Sequence, residues 1–225
     1  MPELKSKFNY PAVTLLILLC ALVFLMESIF GWNFGRMLGA IPVDIIRVAS
    51  AVRHQDLSAL NLHPLSTLAL HVFVHADIEH LAVNMLFLWI YGSLVEEIYG
   101  KWMTTVFFIV CGISGALYHA FMNTHSEIPM VGASGSISGL AGIYLGLMLR
   151  WRMPNPHVWP LAHPIEPMRL GILTVAVAYY DYTYLVNRTQ TGVAHAGHLG
   201  GLFCGLVIAL ITTEIYKTRE EFLNQ

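Results

Sequence analysis

The chain has 225 residues, of which 56% are hydrophobic and only 12% charged, with a mean hydropathy of +0.61. That is about half the charge of a soluble domain, so the composition is that of a polytopic membrane protein. A net charge of −2 and a pI near 6.6 leave no basic stripe for nucleic acid, and the three scattered cysteines, Cys20, Cys111 and Cys204, suit neither a disulfide framework nor a paired metal spacing.

Six apolar windows are long enough to span a bilayer: 13–30, 78–94, 102–121, 134–149, 170–186 and 198–213. They predict an all-α bundle of six transmembrane helices forming one membrane domain over residues 1–225. The N-terminus shows no cleavage site, so the first segment stays in the protein. An even number of spans puts both termini on one side. Lys5, Lys7, Lys101, Arg150, Arg152, Arg169, Lys217 and Arg219 then share that side against Arg36, Arg47, Arg53 and Arg188, which makes the termini cytoplasmic. A long external connection, 31–70, follows the first span. Within it Ile45, Ile46, Val48, Ala49 and Val52 recur at helical spacing among Asp44, Arg47 and Arg53. This is a short amphipathic helix, lying either in the membrane interface or against the protein. The stretch 153–167, with Pro154, Pro156, Pro160, Pro164 and Pro167, reads as an inner loop.

The second window carries His80 and Asn84, with His75 just ahead of it. His80 and Asn84, four apart, share a helix face, and both can donate toward an oxyanion; His75, beside Asp77 and Glu79, reads as a solvated residue at the water boundary. The fourth window opens at Ser134 within Gly132-Ala133-Ser134-Gly135 and continues with Gly139, Gly142 and Gly146. These glycines allow a turn into the helix and close approach of a neighbour. The fifth holds Asp181 among Tyr179, Tyr180, Tyr182 and Tyr184, where the carboxylate reads as the partner of a tyrosine. The sixth begins at His198, preceded by His195-Ala196-Gly197, with Gly201 and Gly205 on a small-residue face.

Depth links three of these residues. His80 to Glu96, Ser134 to Arg150 and His198 to Glu214 are each uncharged runs of 16 residues. At about 1.5 Å per residue, all three groups lie roughly 24 Å from the charged end of their helix, within a hydrocarbon core about 30 Å thick. Ionisable groups placed so are functional by default, because burial costs free energy that packing does not return. His195 lies about 4.5 Å nearer the outer water, so depth favours His198 as the base for Ser134. Two rival classes fit less well. A metalloprotease needs two histidines on one helix face with a glutamate between them, whereas His75 and His80 are five apart. A transporter would leave the serine incidental and should show inverted repeats. No metal or cofactor is expected.

Taken together, the sequence resembles the rhomboid family of intramembrane serine proteases over nearly its whole length. The resemblance rests on Gly132-Ala133-Ser134-Gly135, on His198 with Gly201 and Gly205, and on His75, His80 and Asn84 with a following Glu96. It implies a catalytic dyad of nucleophile Ser134 and base His198, with His80, Asn84 and the Ser134 amide as oxyanion donors. It implies single-span membrane proteins as substrates, cut within or beside their span, and it leaves the substrate-binding residues and oligomeric state unassigned. Two departures stand out. Ser138 occupies a position where many members carry an aromatic residue against the catalytic imidazole, and Pro64-Leu65-Ser66-Thr67 stands where some carry a Trp-Arg pair that anchors the first loop. No third triad member is obvious; Asp181, 12 residues or roughly 18 Å up the fifth span from Arg169 and near the level of Asn84, is weighed for that place against its reading as the partner of a tyrosine. A bacterial inner membrane is the expected location, because no arginine-rich transit stretch precedes the first span. A non-cleaving rhomboid-like pseudoprotease is the alternative function, and retention of both Ser134 and His198 argues against it.

Overall fold

A computed structural model describes residues 10–56, 61–150, 165–189 and 191–223, with side chains to 212. The proline-rich inner loop falls mostly outside the described residues. Helix α1 (Pro11–Phe30) starts on Pro11, whose missing N–H costs nothing in a first turn, and ends at Gly31 in the left-handed region (φ 65°). Only one face of α1 is buried, through Ala12, Val13, Leu16 and Cys20. Leu15, Leu18, Leu22 and Leu25 point outward, as suits a helix with lipid on one side and protein on the other.

Glu96 fixes the start of α1. Its Oε1 accepts the Ala12 N–H at 3.0 Å and its Oε2 the Val13 N–H at 2.9 Å. Two donors that no helix can satisfy internally are thereby paired, and the buried carboxylate gains the partners it requires.

The first loop contains α2 (Phe34–Leu38), α3 (Pro42–Arg53) and α4 (His63–Leu70). Helix α3 is the amphipathic segment, and it packs on the protein: Ile45 is buried in one cluster with Leu68, Ala116, Ala120 and Met130. The loop is anchored despite lacking a Trp-Arg pair. Ala40 and Met130 exchange both backbone hydrogen bonds at 2.9 Å, and the Val43 N–H reaches the Ser126 carbonyl at 3.1 Å. That pairing ties the loop to the strand of chain leading into Ser134.

Helix α5 (Ile78–Phe87) is capped by Asp77, whose carboxylate accepts the His80 N–H at 2.7 Å. It passes through a wide turn at Leu88–Gly92 into α6 (Ser93–Met122). Three helical stretches among the described residues are long and apolar enough to cross a membrane: Pro11–Phe30, Ile78–Met122 and His195–Thr212. The middle one, 45 residues, would run about 68 Å if straight. It reverses instead at Gly100, where φ is 79° and ψ 166°. Tyr99 and Phe107 lie eight residues apart, about 12 Å along a straight helix, yet their ring centroids are 5.2 Å apart.

Helix α7 (Ser134–Arg150) is the axis of the bundle, its residues from Gly135 to Leu147 buried except Ser138, against α6, α8 (Pro167–Val186) and α9 (His195–Leu223). Contact with α9 is backbone to backbone. A methyl group on Gly201 would strike the carbonyl oxygen of Gly135, and one on Gly205 that of Gly139. Helices this close gain packing that lipid cannot supply, which is how small residues hold a bundle together where the hydrophobic effect is absent.

Candidate active site

Ser134 is the first residue of α7, so its amide has no partner within the helix. The chain reaches it through Gly132, whose φ of 115° excludes an L side chain and whose N–H bonds to the His71 carbonyl at 3.0 Å. His198 stands on the first turn of α9, brought alongside by the Gly201 and Gly205 contacts. Its Nε2 lies 2.8 Å from the Ser134 Oγ. The two residues expected to react are thus in hydrogen-bond reach, on the two helices that approach most closely.

His80 lies across from them. Its imidazole packs on Gly132, where a methyl would sit 2.7 Å from both Nε2 and Cε1. Asn84, one turn along α5 and buried, donates from Nδ2 to the His80 carbonyl at 2.8 Å. An amide nitrogen carries two hydrogens, so a second donor remains.

Three sequence expectations need correction. Asp181 does not pair with a tyrosine. Its Oδ1 meets His195 Nδ1 at 2.7 Å and His198 Nδ1 at 3.0 Å, and its Oδ2 meets the same His198 nitrogen at 3.1 Å. His195, expected nearer water, is 5% exposed and is held between Asp181 and the Thr191 hydroxyl, 2.7 Å from its Nε2. His75 is not a solvated boundary residue. It is 2% exposed and packs edge-on against His80 at 5.2 Å, and burial, with His80 beside it, pushes it down to about 4. The acidic neighbours that suggested water, Asp77 and Glu79, point outward while the chain before α5 turns inward.

Asp181, His195 and His198 are the one group among the described residues with ligand atoms within 4.8 Å of each other in the donor set of a cation site. Hydrogen bonds between carboxylate and ring N–H groups account for their approach without an ion. Ser138, where an aromatic would be expected against the catalytic imidazole, is half-buried, and the His198 ring is gripped through its Nδ1 instead.

Comparison with known proteins gives the family. The Rhomboid domain family matches residues 62–215, which includes every residue of the site. This chain belongs to the rhomboid family. It is 29% identical to the rhomboid protease AarA of Providencia stuartii over 92% of its own length and 75% of that protein. It is 28% identical to the rhomboid protease GluP of Bacillus subtilis over 61% of its length, but spans only 24% of that longer protein. The inactive rhomboid protein 1 of Drosophila melanogaster matches at 28% over 61% of this chain and 9% of its own length. Family membership supports intramembrane proteolysis as the general activity, and the family includes members named as inactive.

Proposed function

We propose that this chain is an active intramembrane serine endopeptidase that cleaves single-span membrane proteins within or beside their span. The 2.8 Å contact between Ser134 Oγ and His198 Nε2, inside an apolar bundle, carries the reading. A serine hydroxyl becomes a useful nucleophile only when a base in hydrogen-bond reach takes its proton. As the Oγ attacks the scissile carbonyl carbon, the proton passes to His198 Nε2 and the carbonyl π electrons move to oxygen. The Ser134 amide, His80 and Asn84 receive that oxyanion. Collapse of the intermediate breaks the C–N bond, and His198 returns the proton to the leaving amine; water then repeats the sequence on the acyl-enzyme.

In this reading residues 1–225 are a single membrane unit crossing six times, with cytoplasmic termini in a bacterial inner membrane. The site then opens toward the outer face. The second reading, a helix-binding pseudoprotease, draws on the inactive Drosophila relative. The hydrogen-bonded serine and histidine weigh against it, because a protein that only binds has no need of an aligned nucleophile and base.

One experiment separates them. The detergent-solubilised protein is treated with a fluorophosphonate and, in parallel, incubated with a model single-span substrate. The wild type should label and cleave, and Ser134→Ala should do neither while remaining folded. No labelling of a folded wild type, or wild-type turnover in Ser134→Ala, defeats the protease reading.

A further inference from the structure

Asp181 is 2% exposed in the middle of an apolar bundle. A buried carboxylate costs several kcal/mol unless hydrogen bonds compensate it, so its presence calls for a partner that uses it. We infer that Asp181, itself held by His195, is a positioning residue that orients His198 toward Ser134. The inference rests on the serine–histidine reading and adds to it the group that sets the base.

The direction of each hydrogen bond follows from the donors available. The carboxylate only accepts, so both Nδ1 atoms that meet it, on His195 and His198, carry hydrogen. With its hydrogen on Nδ1, a neutral His198 presents a bare Nε2, the atom 2.8 Å from the Ser134 hydroxyl. That is the tautomer a general base must have. His195 with its hydrogen on Nδ1 likewise has a bare Nε2, so the Thr191 hydroxyl donates to it at 2.7 Å and in turn accepts the Val193 N–H at 3.2 Å. The chain of donors therefore runs inward from Val193 and Thr191 through His195, and from Ser134 through His198, with both branches ending on Asp181.

Packing keeps His195 in this role. Its ring stacks on Tyr184, with centroids 5.0 Å apart and planes 26° apart, and Tyr180 meets it edge-on at 5.7 Å. Its two ring nitrogens are taken by Asp181 and Thr191, which leaves neither for Ser134. When the Ser134 proton reaches His198, the positive charge that forms on the imidazole lies 3.0 Å from the carboxylate. Asp181 thus acts twice, first on the tautomer and then on the imidazolium.

The test uses Asp181→Asn, His195→Phe and the double variant in the full chain, read by cleavage of a single-span substrate, by fluorophosphonate labelling rate and by thermal unfolding. Asparagine removes the charge and puts an N–H where Oδ2 meets Nδ1. The same exchange in a serine-protease triad costs about 10⁴ in kcat, so a loss of at least about 10² at unchanged KM is expected here. His195→Phe, which keeps the ring stacked on Tyr184, should lower kcat about tenfold. The double variant should be no worse than Asp181→Asn alone, because His195 works through the carboxylate.

Wild-type kcat in a folded Asp181→Asn protein overturns the role of Asp181, and additive losses in the double variant overturn the link to His195. If Asp181→Asn does not fold, His195→Phe still decides: reduced kcat with unchanged KM and melting supports the inference, and wild-type kcat defeats it. A wild type that fails to label defeats the serine–histidine reading itself, a result distinct from any of these.

Discussion

Replacing Glu96 with alanine should destabilise the protein and leave its chemistry alone. The side chain is 6% exposed and accepts two backbone N–H groups at the start of α1, at 3.0 and 2.9 Å. Hydrogen bonds to a charged group contribute about 1.5–3 kcal/mol each, so losing both removes about 3 kcal/mol at the low end of that range. At about 2–4 °C per kcal/mol for a chain of this size, the melting temperature should fall by about 6–12 °C. Glutamine retains one carbonyl oxygen as an acceptor, and Glu96→Gln should show about half the loss. Cys20 offers a local probe: it is fully buried on α1, and a thiol-reactive fluorophore would report its exposure as that helix undocks in detergent. Turnover per folded molecule should match the wild type, since Glu96 binds α1 and not the site. An unchanged melting temperature in Glu96→Ala, or lost turnover without lost stability, would refute the capping role.

The proposed oxyanion donors should behave otherwise. His80→Ala and Asn84→Ala should each lower kcat by about 10²–10³ while Ser134 still acylates, and undiminished kcat in both would return them to a packing role. Gly201→Val should separate α9 from α7 at the Gly135 carbonyl, and a displacement of about 1 Å between Ser134 and His198 costs about 10² in rate; equal activity would mean the bundle absorbs the side chain elsewhere. Acid should destabilise the fold through His71 and His75, which burial pushes down to about 4 from an unfolded value near 6.5. Between those values the unfolded chain holds more protons, so stability is full above about pH 6.5 and falls as pH drops toward 4. Melting at pH 7.5 and pH 5 measures this, and His75→Gln should flatten the difference; an equally steep fall in the variant would assign the titration to other groups.

The meeting of Ser134 and His198 was legible in the sequence because both lie at a fixed distance from a charged helix end and both are flanked by glycines. The partners of Asp181 were not. Counting residues gives depth along a helix but not which way a side chain faces around it, and a carboxylate flanked by four tyrosines offers a plausible local partner on every side. The pairing with His195 and His198 depends on how α8 is rotated against α9, which no periodicity in a single sequence specifies. His75 failed for a related reason: Asp77 and Glu79 marked the water boundary correctly, but the backbone turns between His75 and Asp77, so neighbours in sequence face opposite ways. The amphipathic pattern of α3 was plain, while its resting place was decided by Ala116 and Ala120, residues far along the chain whose small size makes room for Ile45. The interruption between the windows 78–94 and 102–121 was legible, and the backbone places it at Gly100.

Ser134 opens α7, His80 lies in the first turn of α5 and His198 in the first turn of α9. Three helices therefore begin at one place; α7 and α9 bring the positive ends of their aligned peptide dipoles, each equivalent to about half a unit charge, while the Asp77 carboxylate offsets that of α5. The site acquires an attraction for negative charge from its backbone. Such a field does not titrate, and its source lies inside the protein, where salt screens it little. Its benefit to a reaction that builds an oxyanion should persist across changes of pH and ionic strength.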